Sequence, residues 1–315
     1  MKHTALIRSA LVAALIIQFI RPAVSIAQGK MNIDTNVMPT VFAPGIVSTD
    51  LDEGATSFSP DGNTVYTSQG NFATIIYSKK QNGHWTKPEV ASFSGRWNDT
   101  DPFLAPDGKK LFFISDRPLT TGGEPQKVMQ IWYTEQSGPN QWTPPVHLDT
   151  IINREGVGSF APSVSNKGTL YFCSRKKEHP GMQSYSAAWL GDHYGPATQV
   201  SVSGVNKIQD PFIAPDESYL VFLSGNDLYI AFRDGDAWSQ AHKLGNNVNN
   251  GDHNASPYVS PDGKVLYYTS SRISGFYDRT KKKSSMTYDE FIKENRSLYN
   301  GSGNLFMIPI HLDKH

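Results

Sequence analysis

Two stretches of the chain are almost the same. Asp101-Pro-Phe-Leu-Ala-Pro-Asp107 returns as Asp210-Pro-Phe-Ile-Ala-Pro-Asp216, and each leads into an apolar run, Leu111 to Ser115 and Leu220 to Ser224. Looser copies are Thr56 to Gly62 with Val65 to Ser68, Pro162 to Gly168 with Leu170 to Ser174, and Pro257 to Gly263 with Val265 to Thr269. Aligned on Pro60, Pro106, Asn166, Pro215 and Pro261, the copies are spaced by 46, 60, 49 and 46 residues. A repeat of that period marks a solenoid or propeller, since each unit is one supersecondary piece that buries its apolar faces against its neighbours.

Each copy has the same local logic. A short strand meets Pro-Asp-Gly, where proline fixes φ and glycine supplies the positive φ of a tight turn. The strand that leaves the turn is nearly unbroken in its apolar residues, so it is expected to be buried on both faces, in the middle of a sheet packed between two others. Leu111, Phe113, Phe172, Phe222 and Tyr267 are therefore expected in the core. Third strands follow at Thr74 to Ser78, Gln130 to Thr134, Ser184 to Leu190, Asp227 to Phe232 and Asn304 to Ile310, then hairpin turns such as Asn82-Gly83 and Asp234-Gly235. Trp85, Trp142 and Trp238 open a fourth strand, with Tyr194 in the equivalent place.

The fifth repeat has no fourth strand of its own. Val41 to Val47 resembles Gln141 to His147, with Phe42 in the place of Trp142. Pairing this N-terminal piece with residues 304–310 would close the ring and remove an exposed sheet edge. The expected architecture is all-β, a five-bladed β-propeller, with six blades as the alternative. It would form one domain over residues 28–315, with an insertion at about 273–303. Within that insertion Thr287 and Glu290 form a capping-box pattern, which predicts a short amphipathic helix.

Residues 1–27 read as an export signal: Lys2 and Arg8, an apolar stretch from Ala10 to Ile20, and Ser25-Ile-Ala27 before the cut. The reading predicts an exported protein, periplasmic or secreted, without stable membrane insertion after cleavage. Beyond residue 27 there are 26 basic and 29 acidic residues, which is not the basic footprint of a nucleic-acid binder. The one cysteine, Cys173, lies inside an apolar run and is expected buried and inert. The chain has no Gly-x-Ser-x-Gly elbow, no His-Glu-x-x-His, no cysteine pair for zinc and no phosphate-cradling Gly-x-x-x-x-Gly-Lys. Asp50 to Gly54 is too short for a calcium loop. No cofactor, no metal and no catalytic residue is predicted.

Ser59-Pro-Asp-Gly62 and Ser260-Pro-Asp-Gly263, the endings Ser115-Asp-Arg117 and Ser271-Arg272, and the Trp-bearing fourth strands together resemble the PD40, or WD40-like, repeat of TolB-type β-propellers. The resemblance covers residues 41–310 and departs from the pattern at Ser165 to Gly168 and at Asp216-Glu217. It implies a binding scaffold of the cell envelope for a protein, peptide or glycan. The topology supplies the face for such a ligand. Starts of first strands and ends of second strands share one rim, which gathers Trp97, Asp99, Asp101, Asp210, Arg117, Arg175 and Arg272 at the channel mouth. In this reading Asp101 and Asp210 hold blade to blade or touch the ligand, and Arg117 and Arg175 keep them ionised. The competing reading is a carbohydrate-active enzyme, because Asp-Pro at the start of an inner strand resembles the carboxylate placement of five-bladed glycoside hydrolases. It needs a glutamic acid as general acid, and Glu53 and Glu155 are the candidates near a first strand.

Overall fold

Each of the five turns anticipated above joins two antiparallel strands, and these pairs are the inner halves of five blades around a central channel. The computed structural model describes residues 29–70, 73–139, 141–175, 181–250, 253–271 and 285–313. The proposed export signal, Arg272 and the lysines at 281–283 lie outside these residues.

Inner strands are Glu53–Phe58, Asp99–Leu104, Ser159–Val164, Gln209–Ile213 and Asn254–Val259. The apolar second strands are Thr64–Gln69, Lys110–Ser115, Leu170–Arg175, Tyr219–Ser224 and Val265–Ser270. Third strands are Thr74–Gln81, Gln130–Gly138, Met182–Ala187, Asp227–Asp234 and Asn304–Pro309. Short outer strands complete each blade. As the unbroken apolar runs require, Leu111, Phe113, Phe172 and Phe222 are fully buried and Tyr267 is 9% exposed. Cys173 is also fully buried.

Blade three differs from the sequence expectation. Its third strand ends at Ala187, and Trp189 instead pairs with Tyr194 in a tight bridge. At Asp216-Glu217 the turn keeps the usual conformation, because Glu217 itself takes φ +61 where other copies place glycine. Its carboxylate is held by Ser165 Oγ at 2.7 Å and faces Lys167 at 3.5 Å, contacts that offset the cost of a left-handed side chain.

Thr40 and Val41 pair with Met307 and Phe306, and the Phe42 N–H donates to the Leu305 carbonyl. The ring thus closes as anticipated, but through residues 40–42; residues 43–47 turn away rather than extending the strand. Phe42 packs edge-on against Phe58, Trp85 and Tyr267 at 5.2–5.7 Å between ring centres. A second clasp, absent from the sequence reading, pairs Lys30–Asn32 with His311–Asp313. The helix Tyr288–Asn295 carries the anticipated capping box at Thr287 and Glu290. Among the described residues no helix is long and apolar enough to cross a membrane.

Candidate functional site

The channel mouth is shaped by a break that recurs in the inner strand of every blade, where the register with the second strand shifts. In four of them the residue before proline sits in the left-handed region: Asp101, Ala161, Asp210 and Ser256, with φ between 47 and 50. A side chain there is strained, and a following proline disfavours compact conformations further. Blade one, with Ala55-Thr56 in the same place, has no proline.

The bulge decides where each acid goes. In an unbroken strand Asp99 and Asp101 would share one face. Asp99 is instead fully buried, bonded through Oδ1 to Arg117 at 2.5 Å. Arg117 also donates to Ser115 Oγ and the Phe93 carbonyl and is 7% exposed. Asp101 turns to the channel, where its Oδ2 accepts the Ala161 N–H of the next blade at 2.9 Å. Asp210 does the same to the Ser256 N–H at 3.1 Å.

These bonds belong to a ring of stitches between neighbouring blades. Ser57 Oγ accepts the Leu104 N–H and Ser163 Oγ accepts the Ile213 N–H, each at 2.9 Å. Cys173 Sγ accepts the Asp210 N–H at 3.2 Å, and the last blade meets the first through Tyr258 Oη on the Phe58 carbonyl. The two aspartates therefore hold blade to blade, but without the arginines expected to neutralise them. Arg117 is engaged with Asp99, and the exposed Arg175 at the end of its strand forms no ion pair with either. Burial, reinforced by the Asp210 charge, pushes the Asp101 carboxyl up to about 6. Burial raises Asp210 too, and the nearby His253 opposes it.

Below the carboxyls Phe103, Phe212 and Tyr258 plug the channel, their rings 5.0–6.4 Å apart. The cavity left among the bulges is about 30 Å³, lined by Asp101, Asp210, Ala161, Ser256 and their prolines. That is room for a water or two. Trp97 is half-buried at the rim, with Arg96 over its ring at 5.0 Å. Of the two glutamates considered as acids, Glu155 is exposed in a loop. Glu53 is fully buried between the last and first blades, bonded to Thr49 and Gln69, and burial pushes it up to about 7. Among the described residues no three His, Cys, Asp or Glu side chains gather as metal ligands would. The stitching serines and the left-handed bulges escaped the sequence reading. The signal of the bulges was a small residue or Asp before proline in four copies.

No protein-family model matches the chain, and no curated protein does. Solved structures do. An α-L-arabinofuranosidase from Lactobacillus brevis superposes with a TM-score of 0.53 at 13% identity, over 82% of this chain and 90% of that one. A protein of unknown function from Dyadobacter fermentans gives 0.49 at 12% identity, over 90% and 99%. TolB from Acinetobacter baumannii gives 0.45 at 13% identity; the match covers 84% of this chain but 56% of TolB. At 13% identity the likeness to the arabinofuranosidase is one of fold alone, and the strand order gives that fold directly: this chain is an all-β, five-bladed β-propeller.

Proposed function

We propose that the chain is an exported, TolB-like binding scaffold that takes a protein, peptide or glycan at the upper mouth without catalysis. One observation carries the reading: the mouth carboxylates are engaged by the scaffold itself. Asp99 is tied to Arg117, while Asp101 and Asp210 each hold the next blade. A cavity of about 30 Å³ leaves no room for a sugar ring and an attacking water between them. Among the described residues, the rim groups left to meet a ligand are then Trp97 and Arg175.

The second reading is a carbohydrate-active enzyme. It is favoured by the raised Asp101 carboxyl, since displaced pKa values mark candidate acids, and by the fold shared with an arabinofuranosidase. One experiment separates the two. The purified chain is assayed for binding and for turnover on arrayed plant and bacterial glycans and on peptides, beside Trp97→Ala, Asp101→Asn and Asp210→Asn. The scaffold reading expects binding without product, weakened about tenfold in Trp97→Ala, the scale of one lost aromatic contact. Cleavage that falls by about a thousandfold in a normally folded Asp101→Asn or Asp210→Asn variant, roughly 4 kcal/mol of transition-state stabilisation, would overturn it.

A further inference from the structure

The early end of the third strand in blade three opens space on the opposite rim. Where the third strands of blades one, two and four run for eight or nine residues, this one has six. The chain folds back on itself instead, with the Trp189–Tyr194 bridge closed by Leu190 N–H on the His193 carbonyl and Gly195 N–H on the Ala188 carbonyl, both at 2.9 Å. A cleft of about 260 Å³ is left between blades two and three. That is slightly below the range of pockets for drug-sized ligands, a size suited to a single ring.

The walls are aromatic and held in place. Trp189 and Tyr194 meet edge to face at 5.0 Å. Gly168 allows Trp189 to lie where it does, since a Cβ there would come within 2.9 Å of the Trp189 Cβ. Lys110 Nζ lies 4.8 Å from the Tyr133 ring centre and 5.3 Å from that of Trp189, tying the two platforms together.

Charge and hydrogen bonding select the occupant. Both lysines of the cleft already face carboxylates, Lys110 with Glu135 at 3.3 Å and Lys167 with Glu217 at 3.5 Å, so no positive charge is left over for an anion. Tyr194 is 3% exposed and lines the cleft, yet its hydroxyl has no hydrogen-bond partner among the described residues. The Tyr133 hydroxyl, the Trp189 indole N–H and the side-chain amide of the exposed Asn166 also line the cleft and have no partner among the described residues. None of these four polar ends is sealed from solvent, so each is open to an occupant of the cleft. An occupant with an apolar face for the rings and several neutral donors and acceptors around its edge meets both demands.

We infer that the cleft between blades two and three binds a neutral sugar ring, stacked on Trp189 and hydrogen-bonded by Tyr194. This site lies on the rim away from the Asp101 mouth and stands or falls independently of it. The test is saturation-transfer NMR and calorimetry on the purified chain. The probes are methyl glycosides and disaccharides of glucose, galactose, xylose, arabinose and N-acetylglucosamine, with sodium benzoate and N-acetyltryptophanamide as the anionic and apolar arms. One or more neutral sugars should bind with Kd of about 1–10 mM, the weak range of a single-ring contact. Trp189→Ala should weaken that binding at least about tenfold and Tyr194→Phe about three- to tenfold, each the loss of one contact. If Trp189→Ala does not fold, Tyr194→Phe decides. The inference is overturned if no neutral sugar binds, if benzoate or the tryptophan amide binds in preference, or if sugar binding survives both cleft variants.

Discussion

Two carboxyl groups sit on the floor of the upper mouth with backbone N–H groups as partners, and among the described residues no cation is bonded to either. Burial and the neighbouring Asp210 raise Asp101 from an ordinary 3.8 to about 6. A carboxyl raised by folding favours the native state while it is protonated. That contribution is complete below about pH 4 and is lost as pH climbs through about 6. Asp101→Asn keeps an oxygen to accept the Ala161 N–H and never ionises. It should therefore raise the melting temperature near pH 7.5 and have little effect near pH 4.5, the gap bounded at about 3 kcal/mol. Equal melting of variant and parent at both pH values would show that Asp101 carries no such penalty. Ala161 makes a separate claim, since at φ +47 it has a Cβ where glycine would have none. Ala161→Gly should stabilise by about 0.5–1 kcal/mol in denaturant unfolding, as removal of left-handed strain outweighs the added freedom of the unfolded chain. A loss of stability would mean that the bulge is not strained.

Within a blade, the second strand bears most of the packing. Phe222 is fully buried and stacks on Tyr229 at 5.9 Å, so Phe222→Ala should cost about 3–5 kcal/mol in equilibrium unfolding. A cost below about 1 kcal/mol would place that strand away from the blade centre. These strands were legible because an apolar run bounded by Pro-Asp-Gly admits few other readings, and the helix because Thr287 and Glu290 announce its first turn. The inner strands were only half legible. Asp-Pro reads as extended chain, since the residue before proline avoids compact conformations, yet here it is left-handed. That single departure separates Asp99 from Asp101 and gives Arg117 to the former, so the expected pairing of Arg117 with the channel acids failed. Ser57 and Ser163 had no signature at all, because a serine in a strand becomes a stitch only when a neighbouring blade offers an unpaired N–H. The early end of the third strand in blade three was hidden for a similar reason: Ala188-Trp189-Leu190 suits a strand, and only the packing of Trp189 over Gly168 ends it.

At the scale of the ring, closure rests on a short N-terminal segment. Residues 40–42 supply the outer strand of the last blade, Phe42 fills the seam with the first, and residues 30–32 clasp 311–313. A chain lacking residues 28–48 should expose the edge of Asn304–Pro309 and either aggregate or melt over a visibly broader range in calorimetry. Melting like the intact chain would sink the closure described above. The same seam has a consequence in time. Val41 and its partner Phe306 are 265 residues apart, and ribosomes add roughly 5–20 residues per second. The first piece of the ring thus waits roughly 15–50 s for the last, an interval set by the same elongation rate. Until then the last blade does not exist and Phe42 has no pocket. Early blades can form, but the circle locks only when the far end of the chain arrives. A helper that shields the apolar residues of 40–47 would therefore act during synthesis and be displaced by the protein's own C-terminal strand.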